Sequence, residues 1–271
     1  MSARIAAVQM SSGADVAANL RAAQQGLEQA RAQGAAVAVL PENFAFMGEH
    51  EHDKLGVAES EGRGPVQDFL AATARRLGLW IVAGTMPLKT ADPQRVAAAC
   101  LVYSAAGQRV ARYDKMHLFD VDVPGGGHYR ESATIEPGPL AYVVVDTPAG
   151  RVGLSVCYDL RFPELFRGLA AQGAEVLAVP SAFTERTGEA HWEPLLRARA
   201  IENQCYVVAP GQVGAHPGGR RTWGHSLILD PWGRLLAQRE AGEGVIVAPL
   251  PREPLLQLRK SFPVLTHRRI Q

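Results

Sequence analysis

Residues 151–165 read R-V-G-L-S-V-C-Y-D-L-R-F-P-E-L. The first seven form an apolar run of strand character, and a helical pattern begins at about residue 162 and continues to about 172. One short segment therefore holds a strand, a turn and a helix start, which is half of a βαβ unit. Cys157 stands at the junction, followed at once by Tyr158, Asp159 and Arg161. A core strand gains nothing from that ending. The carboxyl ends of strands are where α/β sheets present reactive groups.

The same alternation extends in both directions. Strand runs at 4–10, 35–41 and 79–85 are separated by helical patterns at 15–34 and 65–78. In the first helix Val16, Leu20, Ala23 and Leu27 fall on one face, and Gly34 is a natural stop. Residues 96–104 and 108–114 bracket an Ala-Gly turn and read as a hairpin. Further strands are expected at 141–146, 175–180, 205–209, 226–230 and 244–248, with a helix at 192–203. Strands alternating with helices give an α/β fold, and the hairpins make its sheets mixed. No linker divides the chain, so residues 1–250 read as a single domain. Residues 251–271 read as a tail packing on it or on a partner subunit.

Composition narrows the function. The 271 residues are 47% hydrophobic and 20% charged, with a net charge of +1, so no strong field argues for nucleic acid or an anionic membrane. No apolar run reaches membrane-spanning length, and the opening M-S-A-R-I-A-A-V-Q-M is too weakly apolar for an export signal. Cysteines at 100, 157 and 205 match neither a disulfide framework nor a zinc pattern, and suit the cytoplasm. His50 and His52 form an H-x-H pair without a third ligand, so no metal is expected. Neither P-G-G-G-H nor H-P-G-G-R has the spacing of a phosphate-binding loop.

An unpaired cysteine is usually a packing residue, a reading that fits Cys100 and Cys205 inside their apolar runs. It fits Cys157 badly. A nucleophile needs a base, and two candidates also follow strand runs: Glu42 in A-V-A-V-L-P-E-N-F, and Lys115 in V-A-R-Y-D-K-M-H-L-F. Alone, Glu42 is a loop carboxylate and Lys115 a surface charge. Met116, Leu118 and Phe119 are nonetheless poor company for a solvated lysine. His117 and His225 are possible bases by type, and Ser155 misses the G-x-S-x-G pattern.

L-P-E-N-F (40–44), Y-D-K-M-H-L-F-D-V-D-V-P-G (113–125) and G-L-S-V-C-Y-D-L-R-F-P-E-L (153–165) resemble the nitrilase superfamily of carbon–nitrogen hydrolases. Two longer blocks, at 180–209 and 223–233, extend the likeness over nearly the whole chain. R-F-P-E-L and the P-S-A-F…T-G-x-A-H-W block bring it nearest to the deaminated glutathione amidases, with the ω-amidases next. The resemblance implies a four-layer α-β-β-α sandwich of two mixed sheets and a cysteine-dependent amidase acting on a small keto-acid amide. Deaminated glutathione is the leading substrate, with α-ketoglutaramate or an N-carbamoyl compound as alternatives. A non-catalytic binding or redox-sensing protein is the rival of another class. The Glu–Lys–Cys triad falls on Glu42, Lys115 and Cys157, supported by Glu131 and the Tyr158 backbone N–H. Arg161 is expected to bind a substrate carboxylate, with Phe183 and Thr187 lining the pocket. The glycine-rich loop at 120–131 suggests a lid, no cofactor is implied, and residues 191–203 are the candidate homodimer surface.

Overall fold

A computed structural model describes residues 2–124 and 127–270. Six strands open the chain: β1 (Arg4–Gln9), β2 (Val37–Val39), β3 (Trp80–Val82), β4 (Met86–Lys89), β5 (Val96–Tyr103) and β6 (Arg109–Asp114). A small hairpin follows, β7 (Asp120–Asp122) with β8 (His128–Arg130). The second half contributes β9 (Val144–Thr147), β10 (Gly150–Leu154), β11 (Val176–Ala178) and β12 (Tyr206–Ala209). It continues through the hairpin β13 (Val213–Ala215) and β14 (Arg221–Trp223), then β15 (Ser226–Leu229), β16 (Leu235–Arg239) and β17 (Gly244–Pro249). Helices are α1 (Val16–Ala32), the short α2 (Asp53–Gly56), α3 (Pro65–Leu77), α4 (Pro163–Ala171), α5 (Glu185–Asn203) and α6 (Arg252–Ser261).

The first sheet runs β17-β1-β2-β3-β5-β4, with β6 also paired to β5, and the second runs β16-β15-β12-β11-β10-β9. Each is built on three parallel strands in register, Ala6↔Ala38↔Ile81 in one and Val152↔Val176↔Tyr206 in the other. Antiparallel neighbours flank both trios, so both sheets are mixed.

The layer order follows from side-chain alternation, because successive residues of a strand face opposite ways. Ile5, Ala7, Val37, Val39, Val82, Cys100 and Val102 share one buried cluster with Val152, Leu154, Val176 and Ala178 of the second sheet. Their neighbours Ala6, Val8, Ala38, Leu40, Ile81 and Leu101 pack instead with Leu27 of α1 and Leu70 of α3. On the second sheet Gly153 turns its outer face to Leu169 of α4, where a Cβ would stand 3.2 Å away. The result is the expected α-β-β-α sandwich.

Local chemistry accounts for most boundaries. The Asp15 side chain caps α1 by accepting from the Ala18 N–H, and α3 opens on Pro65 and closes on Gly78 at φ 59. Helix α5 starts at Glu185, seven residues before the expected 192, because Gly188 and Pro194 mask its periodicity. Gly188 is there for packing: a Cβ would meet the Trp223 side chain at 2.2 Å. Six strands unread in the sequence, β4, β7, β8, β13, β14 and β16, are short or edge elements. Pro87 in β4 is tolerated because β4 ends the first sheet. Residues 252–261 form α6, whose Leu255 is buried and whose Arg259 donates to the carbonyls of Ala174 and Gln204.

Candidate active site

Three strand ends converge. Glu42 lies three residues past β2, Lys115 directly follows β6, and Cys157 lies three residues past β10. The Glu42 turn is tight: Asn43 adopts φ 57, and a Cβ on Gly84 would lie 1.9 Å from the Pro41 carbonyl oxygen. Cys157 itself is left-handed at φ 48, a conformation that costs a non-glycine residue about 1–3 kcal/mol and survives only when its surroundings enforce it.

The enforcement comes from Asp159, which is fully buried. One carboxylate oxygen accepts from the Val156 N–H at 2.8 Å and the Tyr113 hydroxyl at 2.7 Å. The other accepts from the His117 N–H at 3.1 Å and meets His117 Nδ1 at 2.7 Å. Tyr113 and His117 flank Lys115 by two residues on either side. One buried carboxylate thus ties the lysine strand to the cysteine turn.

Glu42, Lys115 and Cys157 are 2%, 2% and 7% exposed. Lys115 Nζ donates to Glu42 Oε1 and to both oxygens of Glu131, each at 2.8 Å. Glu42 Oε2 accepts from the Ala182 N–H at 2.8 Å, and Glu131 Oε2 accepts from the Phe119 N–H at 2.6 Å. Burial pushes the Cys157 thiol well up, the Glu42 charge adds to this, and Lys115 only partly opposes it. Burial alone would also raise Glu42, but the charge of Lys115 and hydrogen bonds from Cys157 and Lys115 hold it below the usual carboxylate range. Lys115 is raised against the pull of burial by Glu131 first and then Glu42. The resting site therefore pairs a neutral thiol with a charged carboxylate and a charged ammonium.

The Cys157 N–H donates to the Pro180 carbonyl and the Asp159 N–H to that of Val156. Between them, the Tyr158 N–H meets no backbone acceptor among the described residues.

All eight residues singled out in the sequence line one pocket: Glu42, Lys115, Glu131, Cys157, Tyr158, Arg161, Phe183 and Thr187. The Arg161 guanidinium packs 5.3 Å from the Phe183 ring centroid and contacts His191 Nδ1 at 3.2 Å, with no carboxylate partner among the described residues. The Thr187 hydroxyl is hydrogen-bonded to that of Thr184 at 2.7 Å. His117 and His225 lie outside this lining, occupied by Asp159 and by the Trp223 carbonyl. The loop at 120–131 holds the β7–β8 hairpin; Gly125 and Gly126, on which the lid reading leaned, lie outside the described residues. Among the described residues no group of three metal-ligating side chains forms.

The sequence reading missed another part of this lining: Glu51, Lys54, Tyr129 and Arg220. Lys54 and Arg220 come from loops and a short helix with no strand-end signature. Arg220 ends the H-P-G-G-R stretch, whose glycines invite only a turn assignment.

The sequence profile of the carbon-nitrogen hydrolase family matches residues 4–260. The chain belongs to this family. It is 44% identical to a deaminated glutathione amidase of Yersinia enterocolitica, over 98% of this chain and 93% of that one. It is 42% identical to the human deaminated glutathione amidase, over 98% of this chain and 82% of that one. The solved structure of Saccharomyces cerevisiae Nit3, a nitrilase superfamily member, superposes with a TM-score of 0.88 at 30% identity, covering 99% of this chain and 97% of that one. As a carbon-nitrogen hydrolase, the protein acts on C–N bonds other than peptide bonds. No helix among its described residues is long and apolar enough to cross a membrane.

Proposed function

We propose that this hydrolase cleaves the ω-amide of deaminated glutathione, releasing a keto diacid and the cysteinylglycine amine fragment, with Cys157 as nucleophile. The observation that carries the reading is Lys115 clamped between Glu42 and Glu131 beside the thiol. A lysine so held does not act as a base. It is a fixed positive charge at the carbonyl that Cys157 would attack.

Glu42 takes the thiol proton as Sγ adds to the amide carbonyl. The oxyanion forms beside Lys115 and the Tyr158 N–H, each such donor contributing about 3 kcal/mol to the transition state. The C–N bond then breaks as Glu42 passes the proton to the leaving nitrogen, and a thioester remains. Water next gives a proton to Glu42, attacks the thioester and frees the acid and the thiol. Because the resting thiol is neutral, the nucleophile is made only during attack. Arg161, backed by Phe183 and Thr187, holds the keto-acid carboxylate.

Support for this substrate comes from the curated relatives at 44% and 42% identity. The test is side-by-side turnover of deaminated glutathione and α-ketoglutaramate, with Cys157→Ala as control. Deaminated glutathione should win by orders of magnitude. A win for α-ketoglutaramate would make the protein an ω-amidase, and activity only on N-carbamoyl compounds would replace both.

Residues 1–250 act as one hydrolase unit with 251–271 packed on it, located in the cytoplasm, where its three free cysteines stay reduced. It assembles as a homodimer through α5, where Ile201 is 53% exposed next to the equally exposed Phe262. Light scattering on the purified chain measures that directly.

A further inference from the structure

The reactive pocket shares a wall with a second cavity, made of Asn43, Glu51, Lys54, Tyr129 and Arg220. The second cavity continues between the 46–50 segment, β4 and the turn at Pro217–Gly219. Arg161, Phe183 and Thr187 border only the first.

The two cationic side chains of this wall differ. Lys54 is matched by Glu51 at 2.7 Å. Arg220 has no carboxylate within ion-pair distance among the described residues. Its Nε is buried without an acceptor among them. One Nη donates to the Ala182 carbonyl at 3.2 Å, and the guanidinium stands 5.7 Å from the Tyr129 ring centroid. A buried donor left open costs about 1–3 kcal/mol, which is reason to look for the group that completes it.

Arg220 is also held in place. His216 fastens the start of its turn through Nδ1 to the Ser12 carbonyl and Nε2 to the Thr222 hydroxyl, at 2.8 and 2.7 Å. Gly218, at φ 71, lies so close to the Glu49 carbonyl that a Cβ would stand 2.3 Å from it. The guanidinium is therefore presented by a braced loop, and little ordering is left to be done on binding.

We propose that Arg220 is a specificity residue that binds the carboxylate at the amine end of the substrate, the end that leaves with nitrogen and lies in the second cavity. The inference rests on the deaminated glutathione reading and deepens it. That molecule carries one carboxylate on each side of the amide to be cut. Arg161 on the acyl side takes one, which leaves Arg220 for the other. The Ala182 residue bonded to Arg220 through its carbonyl is bonded to Glu42 through its N–H, so the amine end extends from the base that protonates the leaving nitrogen. An unsubstituted amide, losing only ammonia, has nothing for Arg220 to hold.

The experiment compares kcat/KM for deaminated glutathione, the same compound with its glycine carboxylate amidated, and α-ketoglutaramate. It uses the wild type, Arg220→Met and Arg220→Lys. In the wild type, amidation should cost about 10- to 100-fold, the size of one charge-assisted hydrogen bond. In Arg220→Met that ratio should collapse towards one, and Arg220→Lys should restore part of it. Equal losses on all three substrates in Arg220→Met would overturn the proposal, because Arg220 would then act through Glu42 and its neighbours. A wild type that cleaves deaminated glutathione but ignores amidation would overturn the proposal and leave the substrate reading standing. Turnover of α-ketoglutaramate alone would overturn both.

Discussion

Cys100 and Cys157 invite comparison because most simple measures fail to separate them. Both are free and buried, and burial is the leading cause pushing each thiol up, Cys100 to about 12 and Cys157 well above its ordinary value. Each also has a carboxylate pushing in the same direction, Asp114 for Cys100 and Glu42 for Cys157. The difference lies in backbone and company. Cys100 sits inside β5 between the sheets, packed among valines. Cys157 is on a left-handed turn beside Lys115, with Glu42 as hydrogen-bond partner. On the proposed mechanism, what sets the nucleophilic cysteine apart is an adjacent carboxylate and a fixed cation. Exposure and resting acidity do not mark it.

The sharpest way to break the comparison is to make one substitution at both positions. Cys157→Ser should lower kcat/KM by at least about 10⁴-fold while leaving urea-unfolding stability within about 1 kcal/mol. Cys100→Ser should do the reverse. Its hydroxyl would lie between two apolar faces, costing about 1–3 kcal/mol, with kcat/KM within about twofold of wild type. A stability loss at Cys157 matching that at Cys100, with activity retained, would return Cys157 to the core.

Glu42→Gln tests the base separately from the thiol, with an expected fall of about 10²–10⁴-fold in kcat, the usual range for a general base. The neutral amide also removes one of the two leading causes that raise the Cys157 thiol, while Lys115 still favours the thiolate. The pH profile of iodoacetamide labelling at Cys157 should therefore move to lower pH as turnover is lost. Faster labelling with slower hydrolysis separates deprotonation from proton delivery. A profile moving to higher pH would mean that Glu42 promotes the resting thiolate instead.

The same contrast explains what was readable beforehand. Glu42, Lys115 and Cys157 each follow an apolar strand run, so the change from apolar to reactive is visible within a few residues. The Asp159 hub is not legible in the sequence, since its four donors come from residues up to 46 positions away. Arg220, on a loop, and Lys54, on the one-turn helix α2, were invisible because such residues acquire a site only when tertiary packing supplies one. The strands of the first sheet are apolar on both faces, which shows burial on both sides. It does not show that one side meets a sheet and the other helices. Helix α5 lost its first turns to Gly188, whose purpose is the approach of Trp223.

The smallest effect sharpens the comparison from the side of stability. Cys100 and Cys205 titrate near 12 and 11 in the folded chain, against about 8.5 when unfolded. Above about pH 8.5 the unfolded chain releases these protons while the folded chain keeps them, so folding stability falls as pH rises. The loss begins near the unfolded value and continues for Cys205 through about 11 and for Cys100 through about 12. By pH 9.5 each thiol should have removed about 1 kcal/mol. Cys100→Ala and Cys205→Ala should each flatten the decline between pH 8.5 and 9.5 by that amount, measured by urea unfolding under reducing conditions. Cys157→Ala should flatten it as well, because its thiol is raised for the same leading reason. A slope that ignores Cys157 but follows Cys100 would mean that Lys115 wins over burial and Glu42. The nucleophile would then be poised as a thiolate before substrate arrives.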